Sequence, residues 1–259
     1  MNNDGNAWAV VDTTTAHPAR VYDYLLGGKD NWPADQKIGE RLISAVPTAR
    51  EEARSNRAFL RRAVRYAAGR GVTQFLDIGT GIPTVGPTHE AARTVQPRAT
   101  VIYVDNDPVV VCHARALLVE DDLTYAVLAD AREPEAILGH PQVRRRLDFG
   151  EPVALMFIAL LHFVSDAELD GLIDRYAREL APGSHLMITH VPDTPETAVA
   201  RAGYRTTTPS TLRSHEEIAR LFTGWELVEP GVVHPHEWRP DDAQAPRGDH
   251  LLGGVAVKA

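Results

Sequence analysis

Short apolar segments alternate with helix-forming segments from Gln74 onward, and this alternation restricts the fold more than any other feature. Five segments read as strands: QFLDIG, TVIYVDND, LTYAVLAD, PVALMFIAL and SHLMITHV. WELVEPG and LLGGVAVKA read as two later strands. PVALMFIAL is apolar throughout, as expected of a central strand that is covered on both faces. The pattern predicts an α/β fold with a doubly wound, mostly parallel, seven-stranded sheet.

Helix-start signals stand between the predicted strands. Asp107 followed by Pro108 is the favoured order of an N-cap residue and a first helical proline. Ser165 and Glu168 have the spacing of a capping box and predict a helix that continues to about Leu180. These signals support helical crossovers between parallel strands.

Residues 1–71 precede the alternating pattern and are predicted to form a helical extension to the sheet domain of residues 72–259. In the last predicted helix of this extension, Phe59 and Ala63 share one face, and arginines occupy the rest. We expect the arginines to form a solvated face. They are Arg50, Arg54, Arg57, Arg61, Arg62, Arg65 and Arg70.

The overall charge and the cysteine count exclude several classes of protein. A net charge of −8 argues against a general nucleic-acid binder, whose affinity depends on neutralising phosphates. Cys112 is the only cysteine, which leaves no intramolecular disulfide, and its place in a helical segment predicts burial. The longest apolar run, residues 152–164, is too short to span a bilayer, and no signal peptide is recognisable. We expect a cytoplasmic protein without nucleic-acid or membrane partners; its oligomeric state is left open.

Glycines follow the first predicted strand, where an open α/β sheet would bind its ligand. Asp77 ends this strand, and Gly79 and Gly81 come directly after it. Glycines let the turn tighten and let a ligand approach the main chain. The G-x-G-x-x-G pattern is only half present, because Thr84 stands in place of the third glycine.

Acidic residues end the next two strands at the same edge. Asp105 is placed to accept hydrogen bonds from both hydroxyls of a ribose, since Asp107 is the better cap for the next helix. Asp130 follows the third strand. Together these residues predict a nucleoside pocket. The charge of Asp77 would disfavour the pyrophosphate of NAD but would suit the ammonium and sulfonium of S-adenosylmethionine.

The order LDIGTG, VDND, LADAR and an apolar fourth strand resembles the class I S-adenosylmethionine-dependent methyltransferases. PARVYDYLLGGKDNWPAD, SNRAFLRRAVRYAA and FLDIGTGIPT together resemble one family of methyltransferase-like proteins from actinomycetes, over essentially the whole chain. The resemblance implies a Rossmann-like domain that binds S-adenosyl-L-methionine and transfers its methyl group, and we expect a small-molecule acceptor.

The resemblance also implies which residues contact the cofactor. The segment from Asp77 through the two glycines would surround the methionine part, Asp105 would hold the ribose, and residues after the third and fourth strands would line the adenine and the methyl group. The implied contacts are Asp77, Gly79, Thr80, Gly81, Asp105, Asn106, Ala129, Asp130, Ile158 and Ala159.

Histidines near the same edge are candidates for a general base. The segment after the fourth strand is IALLHF, without the Asn/Asp-Pro-Pro-aromatic motif of DNA-adenine methyltransferases. His162 in this segment is the first candidate to deprotonate a hydroxyl acceptor, or it packs under a loop, and His190 is the second candidate. His234 and His236 form a short H-x-H without further ligands, and we expect no metal.

The segment RVYDYLLGGKDNWPAD, residues 20–35, lacks the spacing of a Walker phosphate loop. Val21, Tyr24 and Leu25 have helical spacing and fit a core. The Gly-Gly break and the residues after it are more polar than core packing needs, and we predict that the segment closes as a lid over the cofactor. The predicted lid residues are Tyr22, Asp23, Tyr24, Gly27, Gly28 and Asn31, and of these Tyr24, Gly27, Gly28 and Asn31 are predicted cofactor contacts.

Other functions stay open at this point. A regulatory protein that binds S-adenosylmethionine or another nucleoside would need the same pocket without an acceptor site. An NAD-dependent oxidoreductase would need a catalytic pair that the sequence does not reveal. Residues 192–213 form a polar insertion after the fifth strand, where such folds vary their acceptor specificity.

Overall fold

The structure is a computed structural model of the 259-residue chain. It describes residues 12–83, 85–117, 122–204, 208–241 and 246–259.

A seven-stranded sheet has the order β3-β2-β1-β4-β5-β7-β6. The strands β1 to β5 pair in parallel, whereas β7 is antiparallel to both of its neighbours. The predicted doubly wound, mostly parallel fold is therefore confirmed. The strands are β1 (Gln74–Ile78), β2 (Thr100–Asp105), β3 (Thr124–Leu128), β4 (Val153–Ile158), β5 (His185–His190), β6 (Glu226–Leu227) and β7 (Leu252–Val257).

Helices precede the sheet and cover it on both faces. A short 3-10 helix, Leu161–Phe163, follows β4. The α-helices of the described residues are α1 (Pro18–Leu26), α2 (Pro33–Ala45), α3 (Ala49–Gly69), α4 (Thr88–Arg93), α5 (Pro108–Leu117), α6 (Pro134–Leu138), α7 (Pro141–Arg146), α8 (Asp166–Leu169), α9 (Leu172–Ala177), α10 (Pro195–Gly203) and α11 (His215–Arg220). No helix in this part of the chain combines the length and the apolar character needed to cross a membrane.

The predicted helix from Ser165 to about Leu180 is two helices, so this prediction was wrong. Its capping box of Ser165 and Glu168 does form. The helix breaks after one turn because Asp170 leaves the helical conformation and Gly171 has a φ of 66°. α9 then begins at Leu172.

The central strands are buried on both faces, as their continuous apolar sequences predict. One of the two main cores lies between the sheet and α3, where Phe59, Leu60 and Ala63 are fully or almost fully buried. Phe59 meets the ring of Trp238 edge-on at 5.4 Å. α3 thus shares a core with the sheet. The division into an extension of residues 1–71 and a domain of residues 72–259 stays a prediction.

Three predictions about solvent exposure are wrong. Arg57 and Arg62 are buried although they belong to the predicted solvated face of α3. Arg62 donates from Nε to the carbonyl oxygen of Trp238 at 2.9 Å, which satisfies part of its buried guanidinium. Cys112 is exposed, because it lies on α5 away from the buried residues Val110 and Ala114.

The Gly-Gly turn of the N-terminal segment links α1 to α2. A carboxylate oxygen of Asp23 accepts from the backbone N–H of Asp30 and from Nδ2 of Asn31, each at 2.9 Å. Gly27 has a φ of 83°, and a Cβ on Gly28 would lie 2.0 Å from the Asp23 carboxylate. Both glycines are thus required by the turn itself.

Candidate active site

A cavity of about 290 Å³ lies at the carboxyl ends of the strands. The loops after β1 to β4 form its floor. The rest of its wall comes from α1, α2, α3, α10, residues 208–212 and the segment before β7. The position agrees with the general rule for open α/β sheets. All ten residues that the resemblance assigns to the cofactor, apart from the N-terminal lid, line this cavity.

The turn after β1 depends on glycine. Gly79 and Gly81 have φ values of 68° and 63°, which only glycine adopts without strain. A Cβ on Gly79 would also lie 2.5 Å from the side chain of Leu160. The backbone N–H of Gly79 donates to the carbonyl oxygen of Val104 at 2.7 Å, which ties the turn to β2. This leaves main-chain atoms of the turn facing the cavity.

Asp105 is buried at the end of β2. Its Oδ2 accepts from the backbone N–H of Gly81 and its Oδ1 from that of Asp107, both at 2.9 Å. The sequence suggested a carboxylate available for a ligand, whereas the structure shows that each oxygen already accepts one backbone hydrogen bond. Each oxygen still keeps a second lone pair for a ligand. Burial raises the pKa of Asp105 to about 6, against the opposing effect of these backbone hydrogen bonds. Burial thus disfavours the ionised form despite its two backbone donors, and further donors from a ligand would stabilise that form.

Asp77 and Arg57 are both buried, and both line the cavity. Its Oδ2 accepts from Oγ1 of Thr88 at 2.6 Å and from Oγ1 of Thr80 at 3.3 Å. Burial raises the pKa of Asp77, whereas these hydroxyls and the Arg57 guanidinium act in the opposite direction. Asp77 from the floor and Arg57 from the α3 wall therefore present a carboxylate and a guanidinium to the same cavity.

Arg57 is a site residue that sequence reasoning missed. Its guanidinium stacks over the ring of Tyr22 at 5.4 Å and would lie 3.9 Å from a Cβ on Gly81. Its Nε is buried and has no hydrogen-bond partner among the described residues. Nothing local distinguishes Arg57 from the other arginines of α3, so only its position in the fold reveals it.

The residues after β3 and β4 complete the floor. Asp130 is half-buried and accepts from Nε of Arg132 at 2.9 Å; this hydrogen bond holds the pKa of Asp130 below its usual value. Asn106 is exposed, and Ala129 is half-buried. Ala159 has a φ of 54°, a conformation that few residues other than glycine adopt and one that often marks a functional site.

His162 lines the cavity from the 3-10 helix that follows β4. Burial holds its pKa well below the usual value, and the nearby His190 and Arg213 lower it further. The imidazole is therefore neutral at physiological pH. Its Nδ1 is buried and has no hydrogen-bond partner in the part of the chain that the structure describes.

His190, the second candidate base, has both ring nitrogens occupied. Nδ1 donates to the carbonyl oxygen of Val191 at 2.8 Å, which leaves Nε2 to accept from Nη1 of Arg213 at 2.8 Å. Burial lowers the pKa of His190 to about 4. With these partners His190 positions Arg213 rather than exchanging a proton with a substrate.

Arg213 also fixes the segment that carries His162. Its guanidinium donates to the carbonyl oxygens of Leu161 at 2.9 Å and Val164 at 2.8 Å, on either side of His162. It is buried, although its carboxylate partner Asp166 is exposed. One residue of the insertion thus holds the loop after β4 in place.

We expect Arg213→Met to lower the free energy of unfolding by about 3 kcal/mol, because two buried carbonyl oxygens and His190 lose their donor. Denaturant unfolding monitored by circular dichroism measures this change. The control is Arg220→Met, since Arg220 is exposed and forms an ion pair with Glu216 one turn away. A similar small effect of both variants would contradict the role given to Arg213.

The other predicted histidines belong to the structure around β7. His234 and His236 stack at 5.9 Å, and their Nδ1 atoms bond to the carbonyl oxygens of Leu251 and Gly248. Among the described residues, histidine, cysteine, aspartate and glutamate side chains form no group of three or more that could hold a metal ion.

Most predicted lid residues lie away from the cavity. On α1, the face with Pro18, Val21, Tyr22 and Leu25 lines the cavity. Tyr24 points elsewhere and stacks under the guanidinium of Arg50 at 4.9 Å. The turn residues Gly27, Gly28 and Asn31 do not line the cavity either. That these four residues contact the cofactor stays a prediction.

Two crystal structures from actinomycetes are similar to this chain over nearly its whole length. A methyltransferase candidate from Thermobifida fusca is 43% identical, with a TM-score of 0.91 over 95% of this chain and 96% of that chain. A DUF574-family protein from Streptomyces avermitilis is 40% identical, with a TM-score of 0.90 over 96% of this chain and 99% of that chain.

More distant structures share only the fold. Human N-acetylserotonin methyltransferase, crystallised with S-adenosylmethionine, is 16% identical, with a TM-score of 0.52 over 92% of this chain and 62% of that chain. The comparison with curated proteins found no match. A family model described as S-adenosyl methyltransferase matches residues 4–259. The chain therefore belongs to the S-adenosyl methyltransferase family, whose methyl donor is S-adenosyl-L-methionine.

Proposed function

We propose that this enzyme methylates a small molecule and that its cofactor lies over the carboxyl ends of β1 to β4. The observation that carries the proposal is that a buried carboxylate, Asp77, and a buried guanidinium, Arg57, line one cavity together with Asp105. The amino-acid end of S-adenosylmethionine bears an ammonium and a carboxylate. This end needs one anionic and one cationic partner, and the lining of the cavity supplies both.

Each part of the cofactor has a proposed partner. Asp77 and Arg57 hold the two charged ends of the methionine part, above the turn of residues 79–81. Asp105 accepts from the ribose hydroxyls through the lone pairs that its backbone donors leave unused. Asn106 and the loop after β3 line the adenine. Ile158 and Ala159 contact the region of the methyl group. The residues proposed for the loop after β3 are Ala129 and Asp130.

When bound, S-adenosylmethionine supplies an electrophilic methyl group on a sulfonium, and the main demand on the protein is to position the acceptor in line. Pro18, Val21 and Leu25 of α1 line the cavity, and in this proposal they limit the access of water to the bound cofactor. We propose residues 1–71 as this cover. For a hydroxyl acceptor, the neutral imidazole of His162 accepts the proton.

Calorimetric titrations with S-adenosylhomocysteine, S-adenosylmethionine and NAD test the proposed site. We expect both sulfur nucleosides to bind and NAD not to bind, since Asp77 disfavours a pyrophosphate. Transfer of a tritiated methyl group into a metabolite extract then tests for a small-molecule acceptor. Binding of NAD alone would refute the proposed cofactor site, and label only in macromolecules would refute the small-molecule acceptor.

The affinity for S-adenosylhomocysteine should fall as the pH drops below about 6, by up to ~10-fold per pH unit. In the unliganded protein the pKa of Asp105 is raised to about 6, and ribose hydroxyls bind its ionised form. Above pH 6 the Asp105 carboxylate is already ionised and can accept from the ribose. Below pH 6 Asp105 must first lose a proton, and this lowers the affinity.

Calorimetry at several pH values measures this dependence. Thermal shifts are unsuitable because the stability of the unliganded fold itself depends on the protonation of Asp105. The raised pKa of Asp105 contributes stability that is fully present below pH 3.8, the ordinary pKa of an aspartate, and that is lost as the pH rises through about 6. Asp105→Asn is the control and should flatten the profile between pH 5 and 7. An equally steep profile in this variant would assign the effect to another group.

A further inference from the structure

We propose that the part of the cavity on the β5 and β7 side is an acceptor subsite for a small apolar molecule with a basic nitrogen, which Glu52 and Asn56 recognise. That the occupant is the methyl acceptor rests on the proposed function. The chemistry of the subsite rests on the contacts below, and it concerns recognition of the nitrogen without assigning the methylated atom.

Glu52 and the proposed cofactor residues lie on different sides of the cavity. Glu52 contacts His250, two residues before the start of β7, and β7 pairs with β5. Asp105 ends β2, and the sheet order places β1 and β4 between β2 and β5. A cofactor over β1 to β4 therefore leaves the Glu52 side of the cavity for a second molecule.

The Glu52 carboxylate is buried and only partly satisfied. Its Oε1 accepts from the backbone N–H of His250 at 3.1 Å, and Nδ1 of His250 lies 3.0 Å from it. Its Oε2 is buried and has no hydrogen-bond partner among the described residues. Gly248 leaves room for this arrangement, because a Cβ there would lie 2.3 Å from Oε2. A buried carboxylate oxygen without a donor is costly, and a ligand that donates a hydrogen bond would remove the cost.

Asn56 lies one helical turn after Glu52 on α3 and is completely buried. Its Nδ2 donates to the hydroxyl of Tyr22 at 2.9 Å, and that hydroxyl donates to the carbonyl oxygen of Ala53 at 3.1 Å. This chain fixes the orientation of the amide, because the single proton of the Tyr22 hydroxyl is already used. The remaining atom, Oδ1, is a second buried acceptor without a partner in the described chain.

The wall around these two acceptors is apolar. It combines residues of α1, α2, α3 and α10 that pack together in one cluster and also line the cavity: Leu25, Leu42, Val46, Ala53 and Ala200. An apolar ligand body would bury its surface there at about 25 cal/mol per Å². The insertion of residues 192–213 contributes α10 to this wall.

The charges of the subsite select among ligands of similar size. An anion would meet the Glu52 carboxylate, and a hydrocarbon would leave both acceptors unsatisfied. A protonated nitrogen donates to an oxygen of either residue and carries the opposite charge to Glu52. Arg57, the buried cation on the same helix, reaches the turn after β1, where its Nη2 would lie 3.9 Å from a Cβ on Gly81.

Three probes of matched size test the subsite: phenethylamine, phenethyl alcohol and 3-phenylpropanoate. Each is titrated by NMR into the full-length protein, with and without saturating S-adenosylhomocysteine. We expect the amine to bind at least ~10-fold more tightly than the carboxylate, with the alcohol between them. Glu52→Gln should lower the affinity for the amine by at least ~10-fold, whereas the affinity for S-adenosylhomocysteine should equal that of the unmodified protein.

Glu51→Gln is the matched control, since it makes the same change of charge on the adjacent residue of α3, outside the cavity lining. The inference is overturned if the amine has no advantage over the carboxylate, if no probe binds, or if Glu52→Gln and Glu51→Gln behave alike. Failure of S-adenosylhomocysteine to bind would instead overturn the proposed function, and the ranking of the probes without it would still report on the subsite.

Discussion

Replacing Asp105 with alanine is expected to weaken the binding of S-adenosylhomocysteine by about 10- to 100-fold. The ribose hydroxyls lose a charged acceptor, a contact worth about 1.5–3 kcal/mol. The backbone N–H of Gly81 also loses its buried partner, so the glycine turn that faces the cofactor is no longer tied to β2 through this side chain. Isothermal titration calorimetry measures the loss.

The control for this variant is Asp241→Ala. Asp241 is an exposed carboxylate that pairs with Arg65 and lies outside the cavity lining. Binding of 5′-methylthioadenosine, which keeps the ribose, should weaken in Asp105→Ala to the same extent as binding of S-adenosylhomocysteine. Unchanged affinity for both ligands would refute the assignment of Asp105 to the ribose.

Arg57→Met is expected to lower the affinity for S-adenosylhomocysteine by about 10- to 100-fold and to leave 5′-methylthioadenosine binding within about 2-fold. The guanidinium is proposed to pair with the carboxylate of the methionine part, and such charge-assisted hydrogen bonds are worth about 1.5–3 kcal/mol. Since 5′-methylthioadenosine lacks this carboxylate, its binding does not depend on a contact with Arg57. Methionine retains most of the packing against Tyr22.

Arg54→Met is the matched control, because Arg54 is an exposed arginine on the same helix. The comparison of the two ligands separates a contact from a general disturbance of the site. If Arg57→Met weakened both ligands equally, Arg57 would support the structure of the pocket and the carboxylate contact would be wrong.

The floor of the cavity could be predicted because its residues are close to one another in the sequence or end adjacent strands. Parallel strands bring their carboxyl ends to one edge, so Asp77, Asp105 and Asp130 reach the same cavity once the order of strands and helices is known. Tyr24 illustrates the opposite case. It shares a segment with Tyr22, yet helical rotation turns it away from the cavity, and sequence spacing did not separate the two.

By itself, the sequence determined the class of sheet, the glycine turn and the acids at the strand ends, since strand periodicity and turn chemistry act over a few residues. Only the tertiary structure decided that Arg57 is buried in the same cavity as Asp77, and that Glu52 contacts His250, 198 residues away in the chain. Both depend on how α3 packs against the sheet and the segment before β7. Such long-range packing leaves no local pattern, so the charges that would select the ligands became visible only in the folded chain.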